Sequence, residues 1–274
     1  MISHGATEYR RVRTQTHVSR QRRIPMWQAR PVPVLAVWAT PRTVSTAFER
    51  MMIERGDHLV LDEPWSRAYY FGPERRSDRY PLTFPESTYD AVEAGVLAAG
   101  RTSTVFVKDM AYHAAPGISD GALGAMTHTF LVRDPRAALT SLHRRWPDFT
   151  DDEAGYEAQR VLFDRVRDVT GSTPPVIDSD ALRADPDRVV ASWCEQVGID
   201  HRPDSLQWKA GMRPEWQLWR SWYENTAAST GFTPPSPAHL DDEDLPRRIA
   251  ELLPAAERAV EPLQAHAIGP DTTG

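Results

Sequence analysis

Short apolar runs alternate with helix-like segments along most of this sequence. The runs at 34–38, 58–61, 104–108, 129–132 and 176–177 have the length and composition of buried strands. The segments between them favour helices, at 43–55, 87–99, 117–125, 135–145 and 152–169. Because strands that alternate with helices pair in parallel, we predict an α/β fold: a three-layer sandwich with a central, mostly parallel sheet of about five strands.

Length and local charge suggest how the chain is organised. A chain of 274 residues can bury one sizeable core, so we expect residues 31–274 to form a single domain. Residues 1–30 contain seven arginines against one acid, Glu8, with little apolar periodicity. We interpret them as a basic, poorly ordered N-terminal arm, although an organelle transit peptide has similar chemistry.

The composition also argues against several kinds of partner. A net charge of −6 gives no general attraction to nucleic acid, so an anion site has to come from a few locally placed basic groups. No apolar run approaches the roughly 20 residues that cross a bilayer, and we expect a cytoplasmic protein without membrane contact. The single cysteine, Cys194, excludes an internal disulfide, and the scattered histidines predict no metal site. The sequence does not indicate an oligomeric state.

The segment 40–46 joins the first predicted strand to its helix and reads Thr-Pro-Arg-Thr-Val-Ser-Thr. A loop that leads into a helix N-terminus presents successive backbone N–H groups. Hydroxyls and the Arg42 guanidinium add further donors, so the segment is typical of an anion pocket. It lacks the glycines and the Gly-Lys pair of a Walker A loop, which weakens a kinase or triphosphatase interpretation. A hydroxyl-rich helix cap with Arg42 in solvent would explain the same residues equally well.

A second motif follows the fourth predicted strand and reads Arg133-Asp134-Pro135, with Ser141 eight residues after the arginine. Arg133 stands at the carboxyl end of the strand, and Ser141 comes two turns into the next helix. Both can therefore approach the sheet edge where α/β proteins bind ligands. The alternative is that Arg133 pairs with Asp134 or another carboxylate and that Ser141 is a neutral surface residue.

Taken together, the two motifs resemble those of the sulfotransferases that use 3′-phosphoadenosine-5′-phosphosulfate (PAPS). The first family motif has the form Pro-(Lys/Arg)-Ser-Gly-(Ser/Thr)-(Ser/Thr), and the second reads Arg-Asx-Pro followed by the spaced serine. The resemblance covers roughly residues 33–200 and implies a P-loop-like fold, PAPS as co-substrate and adenosine 3′,5′-bisphosphate as product. It also implies that Arg133 and Ser141 hold the 3′-phosphate. The residues that would hold the 5′-phosphosulfate are Arg42, Thr43, Val44, Ser45 and Thr46.

Three features depart from the family pattern. Val44 stands where the family has a glycine, so the loop must either avoid a positive φ there or accept a strained one. Ala47 replaces a frequent tryptophan that stacks on adenine, and the late Arg-Lys-Gly loop of the family is not visible. Aromatic residues between 216 and 232 are candidates to cover adenine, although their helical spacing favours ordinary core packing for most of them.

Three further residues are candidates for the transfer chemistry, which needs a base for the acceptor proton and positive charge for the departing phosphate oxygen. Lys108 ends the third strand and, by resemblance, stabilises that charge together with Arg42. The family histidine two positions later is replaced by Met110. Glu63, after the second strand, is the first candidate for the base, with a structural salt bridge as the alternative. His113 is the second candidate for the base, and the alternative is that it is an exposed loop histidine.

We therefore interpret the chain as a PAPS-dependent sulfotransferase that moves a sulfuryl group to a hydroxyl or amine of a small-molecule acceptor by in-line displacement. Aromatic residues between 65 and 80 favour an apolar or aromatic acceptor, although buried core rings would give the same composition. Two alternatives stay open. One is a nucleotide-dependent kinase or other phosphotransferase on the same sheet, and the other is a non-catalytic nucleotide-binding protein on the same scaffold.

Overall fold

The computed structural model describes residues 34–235 and 245–268, which surround a six-stranded sheet. The strands are β1 (Val34–Ala39), β2 (Leu59–Asp62), β3 (Val105–Met110), β4 (Thr127–Val132), β5 (Val176–Asp178) and β6 (Ala267–Ile268). They lie in the order β2-β3-β1-β4-β5-β6, and every neighbouring pair is parallel. The predicted α/β sandwich is confirmed. The sixth strand was not predicted because two residues carry no recognisable pattern. The basic arm predicted for residues 1–30 lies outside the described residues.

Helices connect the strands and cover both faces of the sheet. They are α1 (Ser45–Arg55), α2 (Pro64–Phe71), α3 (Tyr89–Gly100), α4 (Ala111–Ala114), α5 (Asp120–Gly124), α6 (Pro135–Arg145), α7 (Asp151–Ala154), α8 (Tyr156–Thr170), α9 (Ser179–Ala184), α10 (Pro186–Val197), α11 (Glu224–Ala228) and α12 (Arg247–Gln264). Short 3₁₀ turns lie at Pro203–Leu206, Pro214–Trp216 and Arg220–Trp222. Within the described ranges, no helix combines the length and apolar character needed to span a membrane.

The central strand β1 shows why the apolar runs are continuous. Val34, Ala36 and Trp38 face one hydrophobic cluster, while Leu35, Val37 and Ala39 face the other. A parallel strand covered by helices on both sides has no solvent face, so both alternating sets of side chains are apolar. All six residues of β1 are buried, which places the strand's carboxyl end, and the loop that follows it, at the middle of the sheet edge.

One buried histidine of β4 is held neutral by the core. Trp38 Nε1 donates to His128 Nδ1 at 2.9 Å, and His128 Nε2 donates to Leu123 O at 2.8 Å. Because the carbonyl can only accept, the proton of the neutral ring is on Nε2. Burial lowers the pKa of His128 to about 4, although the bond to Leu123 O opposes that shift.

The buried His128 should make the protein less stable in acid. Its pKa is lower in the folded chain than in the unfolded chain, so its contribution is present above about pH 6.5 and is lost as the pH falls toward 4. His128→Gln can keep an acceptor for Trp38 and a donor for Leu123 but does not titrate. Between pH 7.5 and 4.5, the free energy of unfolding of the wild type should fall by on the order of 2 kcal/mol more than that of the variant.

Chemical denaturation at several pH values measures this difference. Buried carboxyl groups with raised pKa values act in the opposite direction, but both proteins contain them and their effect cancels in the comparison. Parallel pH profiles for the two proteins would contradict the assignment.

Candidate active site

The segments that follow β1, β2, β3 and β4 surround a cavity of about 540 Å³ at the carboxyl edge of the sheet. They contribute Arg42, Glu63, His113 and Arg133 to its lining. The opposite side is formed largely by residues 207–231, which we call the wall segment. Its members in the lining are Trp219, Trp222, Tyr223, Asn225, Thr226, Ser229 and Gly231. The volume lies in the range of small-molecule sites.

The loop between β1 and α1 is strained at two non-glycine residues. Arg42 has φ 69° and Val44 has φ 55°, both in the left-handed region. Val44 thus accepts a positive φ at the position where the family has glycine, which is especially unfavourable for a β-branched side chain. Such strain costs of the order of 1–3 kcal/mol per residue and persists only where the surroundings determine it.

Hydrogen bonds from three elements hold this loop. Thr43 Oγ1 donates to Thr40 O at 2.8 Å, and Arg133 donates to Arg42 O at 3.1 Å. Ser179 Oγ, at the start of α9, lies 2.8 Å from Thr43 O and 2.7 Å from Val132 O. These hydrogen bonds fix the strained conformation of the loop. The first turn of α1 has neither a side-chain cap nor an acidic residue. Its N–H groups remain suited to an anion.

Arg42 connects the two sequence motifs. Its Nε donates to Ser141 Oγ at 2.9 Å, so residues 99 positions apart meet in one wall of the cavity. Burial lowers the pKa of Arg42, and the like charges of Arg133 and Arg145 lower it further. Three guanidinium groups thus create a region of positive potential next to the α1 N-terminus.

Besides its contact with the backbone of Arg42, Arg133 lies next to an acidic residue. Its Nε lies 3.5 Å from Asp180 Oδ1, which Arg183 also contacts at 3.1 Å. The Arg133 Nε atom is buried and has no hydrogen-bond partner within the described residues. Arg183 lines the cavity, and its pKa is lowered by burial and by Arg133. The Asp180 carboxylate therefore neutralises only part of the charge that the arginines bring to the cavity.

Lys108 occupies a different position from the one expected of a group that contacts a substrate. Its side chain is fully buried, and its Nζ lies 2.5 Å from Asp62, 2.7 Å from Glu63 and 3.2 Å from Glu49. A fourth partner is the Tyr223 hydroxyl at 2.9 Å. Lys108 and Thr43, both in the described part of the chain, lie outside the cavity lining, whereas the other predicted site residues belong to it.

The pKa values of the three carboxyl groups around Lys108 are shifted in different directions. Burial, together with the charge of Glu49, raises the pKa of Asp62 well above its usual value, and burial also raises the pKa of Glu49. Burial acts in the same direction on Glu63, but Lys108, His113 and Tyr223 outweigh it, and the pKa of Glu63 is lowered. Glu63 is therefore the ionised partner of the Lys108 ammonium.

Glu63 is fixed by both its backbone and its side chain. It has φ 45° and ψ 54° immediately before Pro64 opens α2, and its N–H donates to Lys108 O at 2.8 Å. Its Oε1 accepts hydrogen bonds from Lys108 Nζ and from Tyr223 Oη. The wall segment thus reaches Glu63 through Tyr223, whose hydroxyl also lies 2.8 Å from Asp62 Oδ1.

His113 lies on α4, one helical turn after the end of β3. It is 1% exposed rather than a loop residue in solvent. Its Nδ1 lies 2.8 Å from Asp109 Oδ1, and its Nε2 is buried without a hydrogen-bond partner among the described residues. The residue lines the cavity beside Glu63. A second candidate for proton transfer is therefore available at the site.

Several of these partners have no sequence signature. Glu49 sits in the middle of α1, Asp109 looks like a strand residue, and Tyr223 is one of many aromatics near the C-terminus. For Asp109, the one clue in the sequence was its position next to Lys108 at the end of a strand. Aromatic rings form much of the remaining lining, at Tyr70, Tyr80, Tyr112, Trp146, Trp219, Trp222, Tyr223 and Phe232.

The parallel sheet and the loop between β1 and α1, which lacks the Walker lysine, define a P-loop-like α/β protein. Comparison with known families gives the particular assignment. The family model described as a sulfotransferase domain matches residues 33–256, so the chain belongs to this sulfotransferase family. The motif resemblance seen in the sequence is thereby confirmed.

Two curated relatives from Arabidopsis thaliana are similar to this chain. They are branched-chain-amino-acid aminotransferase-like protein 2, 29% identical over 206 residues, and protein 1 of the same name, 28% identical over 207 residues. Each alignment covers 74% of this chain but only 36% and 37% of the respective relative. The chain thus spans about a third of the length of these proteins.

Two solved structures are also similar. The sulfotransferase domain from the Synechococcus PCC 7002 olefin synthase has a TM-score of 0.44 and 15% identity, covering 81% of this chain and 93% of that domain. The sulfotransferase domain from the curacin biosynthetic pathway has a TM-score of 0.41 and 13% identity, covering 86% and 98%.

The buried position of Lys108 predicts a large effect on stability. Lys108→Met would leave the ionised Glu63 and its neighbouring carboxyls without their cation, and the free energy of unfolding should fall by about 3–5 kcal/mol. The other lysine of the chain is Lys209, which is exposed, and Lys209→Met should change stability by less than about 0.5 kcal/mol. Denaturation with urea at neutral pH compares the two, and equal stability would contradict the buried network.

Proposed function

We propose that this protein transfers the sulfuryl group of PAPS to a hydroxyl group of a small-molecule acceptor. Membership of the sulfotransferase family supports the reaction class. The arginine-rich wall of the cavity supports PAPS as the donor, because the donor carries charge at two separate positions, the 3′-phosphate and the 5′-phosphosulfate. The acceptor and the donor would share the cavity at the carboxyl edge of the sheet.

The position of Arg42 is the observation that carries the proposal. A guanidinium group is costly to bury, and the pKa of the half-buried Arg42 is lowered by this burial and by two further arginines nearby, while its Nε bonds a neutral serine. An incoming anion would relieve this repulsion and supply acceptors for the unpaired N–H groups at the start of α1. The site is thus prepared for an anionic ligand.

The two motifs divide the donor between them. Arg133 and Ser141 would hold the 3′-phosphate, and the buried Arg133 Nε would gain the partner that it lacks. The backbone of the loop, with Arg42, Ser45 and Thr46, would hold the 5′-phosphosulfate. Thr43 would contribute to this site through its backbone and through its hydrogen bond to Thr40 O. Val44 would contribute through its left-handed conformation, which sets the direction of the loop.

The transfer step requires one base and one group that stabilises negative charge. The acceptor oxygen forms a bond to sulfur as its proton moves to the base, and the bond from sulfur to the 5′-phosphate oxygen breaks. The electron pair of that bond leaves on adenosine 3′,5′-bisphosphate. We assign the stabilisation of this oxygen to Arg42, which lines the cavity. Lys108 would act indirectly, by keeping Glu63 ionised and in place.

Geometry favours His113 over Glu63 as the base. The pKa of Glu63 is lowered, and its Oε1 already accepts two hydrogen bonds, so this carboxylate binds a proton weakly. His113 has an unpartnered ring nitrogen in the same lining. Glu63 would then stabilise the imidazolium that forms when His113 takes the proton.

The aromatic part of the lining supports a flat, apolar acceptor that bears a hydroxyl. Tyr80 and Trp219 line the cavity with their ring centroids 5.6 Å apart, and Tyr70 joins them at 5.2 Å and 5.6 Å. Trp146 and Trp222 add a second pair, with centroids 5.4 Å apart. Such surfaces bind rings through area and edge contacts rather than through charge.

Binding of the product nucleotide tests the donor assignment. Adenosine 3′,5′-bisphosphate should bind more tightly than adenosine 5′-phosphate or adenosine triphosphate. Arg133→Ala should weaken the bisphosphate by about 1.5–3 kcal/mol through the loss of a charge-assisted contact. Adenosine 5′-phosphate should be weakened less, because it loses only the support that Arg133 gives to the loop. Arg101→Ala, at an exposed position after α3, is the matched control. Calorimetry that shows a preference for the nucleotides without a 3′-phosphate would contradict the assignment.

Two conservative substitutions separate the candidate bases. His113→Gln should lower turnover by roughly 10²–10⁴ while the bisphosphate still binds, because the side chain keeps polarity but loses basicity. Glu63→Gln should cost less, since the carboxylate only assists. The assay should use the least acidic acceptor that turns over, because a phenol of low pKa needs little base. An active His113→Gln with an inactive Glu63→Gln would return the role to Glu63.

A further inference from the structure

Asp109 is a buried carboxylate next to the cavity that the proposed reaction has not yet used. It lies in β3, its side chain is fully buried, and it is not a member of the Lys108 network. Its Oδ2 accepts the backbone N–H of Trp65 at 2.8 Å, and its Oδ1 accepts that of Met110 at 2.8 Å. Two backbone amides from different elements therefore fix the orientation of the carboxylate.

The third partner of Asp109 is His113. The ring Nδ1 lies 2.8 Å from Asp109 Oδ1, one helical turn along the chain. Burial raises the pKa of Asp109, but the contact with His113 and the backbone N–H groups on both carboxyl oxygens favour the ionised form. With the carboxylate ionised, it can only accept, so Nδ1 carries the proton in this contact. In the neutral ring, the lone pair is then on Nε2, the nitrogen that has no partner in the described part of the chain. Asp109 thus selects which ring nitrogen is basic.

Aromatic rings limit the movement of the imidazole. Tyr112, Tyr69 and Tyr70 surround it at centroid distances of 4.2, 5.3 and 5.3 Å. Burial raises the pKa of each of these tyrosines, so they are neutral neighbours. The charged groups that face the ring are Asp109 on its own side and Glu63 at the β2–α2 junction. The surrounding rings therefore keep the imidazole in the orientation that Asp109 sets.

We propose that Asp109 is a positioning residue for the transfer reaction: by accepting the Nδ1 proton of His113, it directs Nε2 of that ring to receive the proton of the acceptor hydroxyl. The proposal rests on the function proposed above and adds a residue and a tautomer to it. Asp109 touches neither donor nor acceptor, so its effect should pass through His113.

Substitution of Asp109 should reproduce the loss caused by substitution of His113. In Asp109→Asn, the single amide oxygen cannot serve both backbone N–H groups and the ring, and an amide NH₂ turned toward Nδ1 would place the ring proton on Nε2. We expect turnover to fall by roughly 10²–10⁴, with bisphosphate affinity within about twofold of wild type. The control is Asp187→Asn, which alters the surface pair formed with His201 and should retain full activity.

A double-mutant cycle separates positioning from a general structural role. If Asp109 acts through His113, then Asp109→Asn combined with His113→Gln should be no slower than His113→Gln alone. Losses that multiply in the double variant would overturn the proposal. Bisphosphate affinity, measured on every variant, reports whether the site is still folded.

Nuclear magnetic resonance of the wild-type protein provides a test that does not depend on turnover. With ¹⁵N-labelled histidine, and His113→Gln used for assignment, the neutral ring of His113 should show a protonated Nδ1 and an unprotonated Nε2. A proton on Nε2 of the neutral ring would overturn the proposal. Failure of the donor assignment would instead be seen as absent bisphosphate binding, so the two failures can be told apart.

Discussion

The buried ammonium of Lys108 is the interaction on which the site depends most. It joins β3 to the end of β2 through Asp62 and Glu63, to α1 through Glu49 and to the wall segment through Tyr223. A single cation cannot neutralise three buried carboxylates, and burial raises the pKa values of Asp62 and Glu49 while Lys108 lowers that of Glu63. The cluster thereby holds Glu63 at a fixed place in the cavity lining.

The loop between β1 and α1 depends on a different kind of constraint. Its left-handed residues at Arg42 and Val44 are unfavourable in isolation, and hydrogen bonds from Arg133, after β4, and Ser179, after β5, hold the loop. The same arginine also lines the cavity. Shape and charge of this part of the cavity are therefore coupled, because loss of Arg133 would loosen the loop as well as remove a charge.

The alternation of apolar runs predicted most of the fold because buried parallel strands need apolar residues on both faces, as in β1. The motifs around Arg42 and Arg133 predicted that these residues meet at one sheet edge, since the ends of parallel strands converge there. The sequence could not show that Lys108 points into a carboxylate cluster, because Glu49 and Tyr223 reach it only through tertiary packing. It could not show the contact of His113 with Asp109 either, because that contact depends on how α4 begins.

The two ends of the wall segment pair with each other. A bridge pairs Gln207 with Gly231, and Trp208 N donates to Thr230 O at 3.1 Å, while the sheet takes no strand from the residues between. The segment is therefore joined to the rest of the protein by side chains rather than by strand pairing, with Trp216 Nε1 donating to Glu49 and Trp219 Nε1 donating to Ser66. Because Trp216 and Tyr223 are buried, displacing the segment would expose core aromatic surface and disrupt the Lys108 network at the same time.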